Sequence, residues 1–207
     1  IQHGTNFICV MPTNLYGPND NYDLETSHVL PALLRKMILG KHLQKSDFEF
    51  IKSDLEKRPI QGLDHTASEH QIIAVLSKYG IRDKGESVEV EIWGTGKPMR
   101  EFLYSEDMAD ACVHIMERVN FEDTYDNNLK EVRNTHINIG TGKEISIKAL
   151  AEMIKQVVGF KGELYFNTSK SDGTMRKLTD VSRLLKYQWN EKTELKIGVK
   201  NLYRLLN

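Results

Sequence analysis

The first strong hydrophobic signal in the chain is a mostly apolar run at residues 6–10. A run without polar alternation is typical of a strand that is buried on both faces in a parallel sheet. Residues 11–18 contain two prolines and a glycine, and this composition predicts a loop. The chain therefore opens with a strand end, which is where open α/β sheets bind ligands.

Helical and extended patterns alternate through the rest of the chain. Apolar residues recur at helical spacing over residues 28–39, which predicts a helix with Ser27 as its N-cap. The same periodicities predict strands or extended pieces at 88–93, 100–104, 136–139 and 164–166, and helices at 105–116, 146–158, 181–185 and 195–206. Ser105 and Ser146 are expected to cap their helices, and residues 120–135 are expected to form a polar loop. This alternation predicts an α/β fold.

Residues 41–87 differ from their surroundings because they are rich in charged side chains. They contain one amphipathic stretch, residues 67–79, with apolar side chains at helical spacing. We interpret the segment as a charged, largely helical insertion that forms either a solvated lobe or a hairpin contacting a partner.

Composition narrows the function classes. The chain has 28 Lys and Arg against 29 Asp and Glu, and this balance argues against a general nucleic-acid-binding protein. No apolar run approaches the ~18 residues that a membrane span requires. Cys9 and Cys112 lie far apart and outside any Cys-x-x-Cys pair. They are therefore interpreted as buried thiols of a reduced, cytoplasmic protein.

Sequence motifs for phosphate and cofactor binding fail at decisive positions. Residues 94–97 and 140–143 are both Gly-x-Gly-Lys, but they lack the earlier glycine and the following Ser or Thr of a phosphate loop. No tyrosine has a lysine four residues later, so the tyrosine–lysine pair of short-chain oxidoreductases is absent. Together with Ile1 at the start, these absences predict that a cofactor-binding front half is missing. The strand at 6–10 would then have an open edge and an uncovered apolar face, which favours altered folding or non-native association.

Four motifs occur in a fixed order. They are Pro-Thr-Asn-Leu-Tyr-Gly-Pro at 12–18, Ser-His-Val-Leu-Pro-Ala-Leu-Leu-Arg at 27–35, Trp-Gly-Thr-Gly-Lys-Pro-Met-Arg-Glu-Phe at 93–102 and Asp-Gly-Thr-Met-Arg-Lys at 172–177. In combination they resemble the GDP-L-fucose synthase family of extended short-chain dehydrogenases. The resemblance covers nearly the whole chain except residues 41–87, where the family usually has a shorter connection.

The resemblance implies the C-terminal part of an extended Rossmann-type NAD(P)-binding fold together with the smaller substrate-binding domain. Residues 1–27 would end the Rossmann part, and residues 28–207 would mainly bind the nucleotide sugar. The intact protein would epimerise GDP-4-keto-6-deoxy-D-mannose at the two carbons beside its carbonyl and then reduce it with NADPH to GDP-L-fucose. It would act as a homodimer through helices of the front domain. This chain alone would bind the GDP-sugar without turning it over.

The resemblance also implies the site residues. Family members use a cysteine and a histidine for epimerisation, and the histidine matches His28, while the cysteine would lie upstream. The cofactor would lie beside Pro12, Thr13, Asn14, Leu15 and His28, and the sugar nucleotide beside Asn14, Lys36, Trp93, Arg100, Asp172 and Lys177. A guanidinium suits a diphosphate because it binds two oxygens at once, and Arg176 could share that role.

A purely structural role stays open as the alternative for four of these residues. His28 could be an ordinary helix-start histidine, Asn14 a turn residue, Lys36 a solvated lysine and Trp93 a core residue at a strand end. The alternatives to the whole function are a GDP-6-deoxy-heptose epimerase or reductase, a non-catalytic module that binds nucleotide sugars, and an assembly surface.

Overall fold

The computed structural model describes residues 3–126, 128 and 131–207. In chain order the strands are β1 (Val10–Pro12), β2 (Asn14–Tyr16), β3 (Ile81–Asp83), β4 (Val88–Trp93), β5 (Met99–Arg100), β6 (Phe102–Tyr104), β7 (Ile137–Ile139), β8 (Ile145–Ser146), β9 (Glu163–Asn167) and β10 (Arg176–Lys177). The helices are α1 (Val29–Gln44), α2 (Phe48–Lys57), α3 (Glu69–Lys78), α4 (Ser105–Arg118), α5 (Ile147–Val158), α6 (Ser182–Lys186) and α7 (Leu195–Leu206), with a 3-10 turn at Phe121–Thr124. The predicted α/β fold class is confirmed.

The chain divides into two compact units built from interleaved parts of the sequence. Unit 1 contains the described residues up to Gly17, then Met99–Ile145 and Arg176–Leu195. Unit 2 contains Pro18–Pro98, Ser146–Met175 and Lys196–Asn207. The predicted boundary between residues 27 and 28 stays a prediction.

Unit 1 is built from short parallel strand pairs. Strand β1 pairs with β7, β2 with β6, and β5 with β10. Helices α4 and α6 supply much of the apolar core, which contains Leu103, Ala111, Ile115, Val119, Ile137, Ile139, Leu184 and Trp189. Because each of these pairings is parallel, the residues that follow the two strands of a pair lie at the same end of that pair.

Unit 2 is organised around the sheet β3-β4-β9. Strand β3 is antiparallel to β4, and β4 is parallel to β9. Helix α1 lies against β4, where a Cβ on Gly40 would come within 3.3 Å of Val90 and 3.2 Å of Phe160. Glycine at position 40 therefore lets the helix backbone approach the sheet closely.

Residues 41–87 belong to the core of unit 2. They include α2, α3 and β3, and the interpretation of the whole segment as a helical insertion stays a prediction. The alternative of a solvated lobe is wrong, because Ile51, Leu55, Ile72 and Leu76 are each 0% exposed and β3 joins the sheet. Burial of one such side chain contributes about 1.5–3 kcal/mol to the stability of the fold. The segment is therefore packed into unit 2 although many of its side chains are charged.

Predictions at the start of the chain need correction. The strand is Val10–Pro12 rather than residues 6–10, since β7 provides a pairing partner only opposite Val10–Pro12. The predicted loop 11–18 contains β2. Cys9 is exposed and Cys112 half-buried, so the prediction of buried thiols is wrong for Cys9, although both cysteines are free as predicted. Phe7 is 79% exposed, so its apolar side chain is uncovered, whereas the open strand edge at residues 6–10 stays a prediction.

Helix termini also differ from the prediction. Ser27 is not the cap of α1, because the N-cap residue is His28 and the Ser27 hydroxyl has no hydrogen-bond partner. Helix α1 continues to Gln44, beyond the predicted residue 39. Tyr104 rather than Ser105 is the N-cap of α4. The cap predicted at Ser146 is confirmed by its hydrogen bond from the Ala149 N–H at 3.1 Å.

Part of the polar loop predicted at residues 120–135 lies outside the described residues. Among the helices that are described, none is long and apolar enough to cross a membrane.

Candidate functional site

The segment 12–15, predicted to lie beside the cofactor, crosses from β1 into β2 in unit 1. Pro12 ends β1 and is exposed, and Leu15 is 38% exposed in β2. Thr13 is buried, and its N–H donates to the Ile139 carbonyl at 2.9 Å. The Asn14 amide donates to the Glu101 carbonyl at 2.6 Å. Pro12 and Leu15 are thus exposed to solvent, while Thr13 and Asn14 between them are held by hydrogen bonds.

Glu101 is a buried carboxylate that the sequence reasoning did not assign to the site. Its side chain is 0% exposed and accepts the backbone N–H groups of Thr141 at 2.6 Å, Gly142 at 2.7 Å and Thr179 at 2.9 Å. A Cβ on Gly140 would lie 2.4 Å from one of its oxygens. One carboxylate therefore ties together the chain after β7, the chain after β10 and, through its own backbone, Asn14.

The ionisation of Glu101 follows from these contacts. Burial alone would raise its pKa, but the hydrogen bonds from Thr179, Gly142 and Thr13 outweigh burial and hold the pKa below the ordinary value. Glu101 is therefore a carboxylate at neutral pH. Its charge is satisfied by donors within unit 1.

Two predicted phosphate-binding cations lie side by side in unit 1. Arg100 and Lys177 are register partners in the parallel pair β5–β10. Arg100 is half-buried and donates one hydrogen bond to the Met99 carbonyl at 2.7 Å, while Lys177 is exposed. Arg176, which was expected to share the phosphate-binding role, instead forms an ion pair with Glu144 at 2.8 Å. The structure thus brings Arg100 and Lys177 together and gives Arg176 another partner.

His28 is the N-cap of α1, and Lys36 lies within α1, both in unit 2. His28 is exposed at the N-cap, and its carbonyl accepts the Ala32 N–H at 3.0 Å. Lys36 is half-buried. Burial lowers the pKa of its ammonium, with Glu91 opposing this shift and Arg82 adding to it. Lys36 is therefore not an ordinary solvated lysine.

A buried charge network lies next to Lys36 and was also missed. Glu91 of β4 is 6% exposed, accepts the Asn167 amide at 2.8 Å and forms an ion pair with Arg82. Arg82 also contacts Glu89 at 3.0 Å. The alternating pattern of β4 predicted a strand but not its partners, and the pairing of β3 with β4 places Arg82 opposite Glu89. That register could have been inferred from opposite charges on neighbouring strands.

Trp93 and Asp172 lie at the end of the β4–β9 pair. Trp93 is 66% exposed, with the Lys170 ammonium 5.3 Å from its ring centroid, so the interpretation as a core residue is wrong. The Asp172 carboxylate accepts the Thr95 N–H at 2.6 Å and the Thr95 hydroxyl at 2.7 Å. Asp172 therefore fixes the 94–97 turn that follows Trp93, a contact that the sequence did not reveal.

No metal site accompanies these residues. Across the described part of the chain, no group of three or more His, Cys, Asp or Glu side chains is arranged to hold a metal ion.

Comparison with known proteins supports the resemblance read from the motifs. The sequence profile of the NAD dependent epimerase/dehydratase family matches residues 1–60 and 62–140. A GDP-L-fucose synthase from Sinorhizobium fredii is 40% identical over 202 residues, which is 98% of this chain and 47% of that protein. The chain spans about half the length of the curated relatives it matches.

Solved structures show the same similarity. A GDP-6-OMe-4-keto-L-xylo-heptose reductase from C. jejuni is 43% identical with a TM-score of 0.86, covering 100% of this chain and 56% of that one. A GDP-D-glycero-L-gluco-heptose synthase from Campylobacter jejuni, solved in the presence of NADPH, is 42% identical with a TM-score of 0.79, covering 98% and 53% respectively. The resemblance to GDP-sugar epimerases and reductases, with a Rossmann-like fold, is therefore confirmed.

Proposed function

This chain belongs to the NAD dependent epimerase/dehydratase family, and from that premise we propose that it is the nucleotide-sugar-binding part of a GDP-L-fucose synthase. The intact protein epimerises GDP-4-keto-6-deoxy-D-mannose and reduces it to GDP-L-fucose. The observation that carries the proposal is the pairing of Arg100 with Lys177 on β5 and β10. Two adjacent cations, one of them a fork-shaped guanidinium, suit the diphosphate of a nucleotide sugar.

The candidates that lie in unit 2 are proposed separately, on the resemblance. Lys36 is a half-buried cation, and the exposed ring of Trp93 offers a flat apolar surface to which a sugar nucleotide can bind. Both carboxylate oxygens of Asp172 are already engaged by Thr95, so its first role is to shape the turn. Further donors of the ligand can still use the remaining lone pairs of Asp172.

His28 is proposed as the proton-transfer group of the epimerisation. A proton on a carbon beside a carbonyl can be removed because the resulting charge spreads onto the carbonyl oxygen. The exposed imidazole of His28 would take or return this proton at one face of that carbon. In this proposal the partner acid or base is the cysteine that the family resemblance implies.

NADP(H) is proposed as the cofactor, and it supplies hydride to the sugar carbonyl. The residues assigned to it fit this role. Asn14 is fixed by the Glu101 carbonyl at 2.6 Å, whereas Pro12 and Leu15 leave apolar surface exposed for a nicotinamide ring. These residues hold and orient the ring. The chain contains no Tyr-x-x-x-Lys, so by itself it should bind the GDP-sugar without turning it over.

Arg100→Ala tests the phosphate site. In the full-length protein the variant is expected to bind GDP-mannose about 10- to 100-fold more weakly, because a charge-assisted bidentate contact is lost. Isothermal titration calorimetry measures the change, with Arg118→Ala as a control, since Arg118 is an exposed arginine at the end of α4. Equal affinities of the two variants, or no binding to the wild type, would contradict the proposed site.

A GDP-6-deoxy-heptose epimerase or reductase is the second candidate. The observation that favours it is the 42–43% identity to two GDP-heptose enzymes over 98–100% of the chain, residues 41–87 included. The curated GDP-L-fucose synthase is 40% identical, so identity alone barely separates the two.

A comparison of kcat/KM for the two 4-keto sugars separates the two substrate assignments. We expect the hexose to be preferred by about tenfold or more, since one extra carbon in a fitted pocket is discriminated to that extent. If the heptose is turned over equally fast or faster, the 4-keto heptose rather than the hexose is the substrate.

The assembly and location of the intact protein go with this proposal. We propose a homodimer formed through the front half and a cytoplasmic enzyme that acts without nucleic acid or membrane partners. The two free cysteines and the near-neutral charge support this assignment.

A further inference from the structure

Residues 18–27 lead directly into His28 without forming a helix or a strand. Asp23 gives this loop its internal shape. Its carboxylate accepts the N–H groups of Glu25 at 3.0 Å and Thr26 at 2.9 Å, and its carbonyl accepts the Ser27 N–H at 2.9 Å. These bonds lie inside the loop, so its attachment to the rest of unit 2 depends on other contacts.

One attachment is made by a buried arginine of α1. Arg35 is 1% exposed and donates to the Tyr22 carbonyl of the loop at 3.0 Å. The same guanidinium contacts one Asp54 oxygen of α2 at 3.0 and 2.7 Å. A single cation therefore joins the loop, α1 and α2.

Residues 41–87 hold the loop at two further points. Arg58, just after α2, donates to the other Asp54 oxygen at 3.0 Å and lies 5.5 Å from the centre of the Tyr22 ring. Tyr22 itself is 7% exposed. Tyr79, just after α3, donates its hydroxyl to Glu25 at 3.3 Å. Both halves of the loop thus contact the segment.

Residues 41–87, which make these contacts, are themselves well packed. The apolar residues Ile51, Leu55, Ile72 and Leu76 are fully buried. Helix α3 begins with a complete capping box between Ser68 and Gln71. A support that is packed and capped in this way resists local opening.

We propose that residues 41–87 are a positioning element that fixes the loop 18–27 and thereby the place of the His28 imidazole. This inference rests on the proposed function of His28 in proton transfer. Arg58 and Tyr79 are positioning residues, because they act on His28 only through the loop. Acid–base catalysis is sensitive to such positioning, since small displacements of a catalytic group lower rates strongly.

The test uses Tyr79→Phe and Arg58→Gln in the full-length protein. The first readout is amide hydrogen exchange of residues 18–28, which should be about threefold faster in Tyr79→Phe and about tenfold faster in Arg58→Gln. The second is solvent deuterium incorporation into the GDP-4-keto sugar without NADPH, which should slow by similar factors while substrate affinity changes less than about twofold. Arg58→Lys, which keeps a cation near Tyr22, should recover part of both losses.

Tyr203→Phe is the matched control. Its hydroxyl contacts the Lys41 ammonium at 2.5 Å in the same unit, so the control also loses one tyrosine hydroxyl contact but leaves the loop contacts intact. It should match the wild type in both readouts. Because the Tyr79 hydroxyl bond is exposed, Tyr79→Phe is expected to fold even where Arg58→Gln loses stability.

The outcomes separate this inference from the proposed function. Wild-type loop exchange in both variants, or wild-type deuterium incorporation despite a loosened loop, overturns the positioning element. If the wild-type protein incorporates no deuterium into either sugar, the proposed role of His28 fails. Loop exchange then still decides whether residues 41–87 fix the loop, but their catalytic purpose is overturned with that role.

Discussion

Glu101→Gln is expected to lower the free energy of unfolding by about 3 kcal/mol. The carboxylate accepts three backbone N–H groups at 2.6–2.9 Å in a fully buried position. Glutamine keeps one acceptor oxygen and turns an NH₂ group toward the remaining donors. Water cannot reach the site to replace the lost acceptor, and a buried unsatisfied donor costs about 1–3 kcal/mol. Urea unfolding of the full-length protein measures the change.

Glu144→Gln is the control for this prediction. Its carboxylate is 23% exposed and pairs with the exposed Arg176, and such surface pairs contribute about 0–1 kcal/mol. We therefore expect less than about 1 kcal/mol for the control. If Glu101→Gln costs no more than Glu144→Gln, the three N–H contacts do not hold unit 1 together.

The same residue predicts a pH dependence of stability. The pKa of Glu101 is lower in the folded protein than its ordinary value of 4.5. Its contribution is therefore fully present above pH 4.5 and is lost as the pH falls through the folded pKa. In Glu101→Gln this part of the acid sensitivity should be absent. Urea midpoints compared between pH 6 and pH 3 would show a smaller decline in the variant than in the wild type.

Sequence patterns predicted correctly those features that depend only on neighbouring residues. The cap at Ser146 needs only a hydroxyl placed before an amphipathic helix, and it formed as predicted. The strand predicted at residues 6–10 failed for the opposite reason. An apolar run becomes a strand only where another strand lies opposite, and β7 lies opposite Val10–Pro12. Ser27 failed as a cap because α1 starts at Val29 rather than at residue 28.

The ionisable candidates selected by motif resemblance are exposed or half-buried, and the buried charges next to them in the sequence were missed. Glu101 and Arg35 stand inside the quoted motifs, next to the residues that were chosen. Both are almost fully buried, and burial of a charge depends on partners that lie far away in sequence: Asp54 for Arg35, and Thr141 and Thr179 for Glu101. A usable signal was present, because a charged residue inside an otherwise apolar motif is rarely buried unless it is paired.

Asp172 shows that a residue of a family motif can have a structural role instead of a ligand contact. Asp172 was assigned to the nucleotide, yet the structure engages both of its oxygens with Thr95. A Cβ on Gly94 would lie 2.2 Å from the Asp172 carboxylate, so glycine and aspartate are matched to each other. The Gly-x-Gly-Lys sequence at 94–97 is thus explained by turn geometry rather than by phosphate binding.

His28→Asn is expected to have the largest effect on catalysis. Asparagine retains a polar side chain at the N-cap, where it is a preferred residue, so α1 should keep its start and its stability. It cannot accept or return a proton near neutral pH. In the full-length protein, solvent deuterium incorporation into the GDP-4-keto sugar should therefore fall by about 10²- to 10⁴-fold. The affinity for GDP-mannose should stay within about twofold, since the cations proposed for its phosphates are other residues.

His70→Asn is the matched control, because His70 is also an exposed histidine in the first turn of a helix, α3. It should incorporate deuterium at the wild-type rate. If His28→Asn retains more than about a third of the wild-type rate, a bystander role at the helix start is the correct interpretation of His28. If the rate is lost together with GDP-mannose affinity, His28 contributes to binding rather than to proton transfer. Only loss of exchange with retained affinity assigns the imidazole to the reacting carbon, because binding and proton transfer are then separated in one variant.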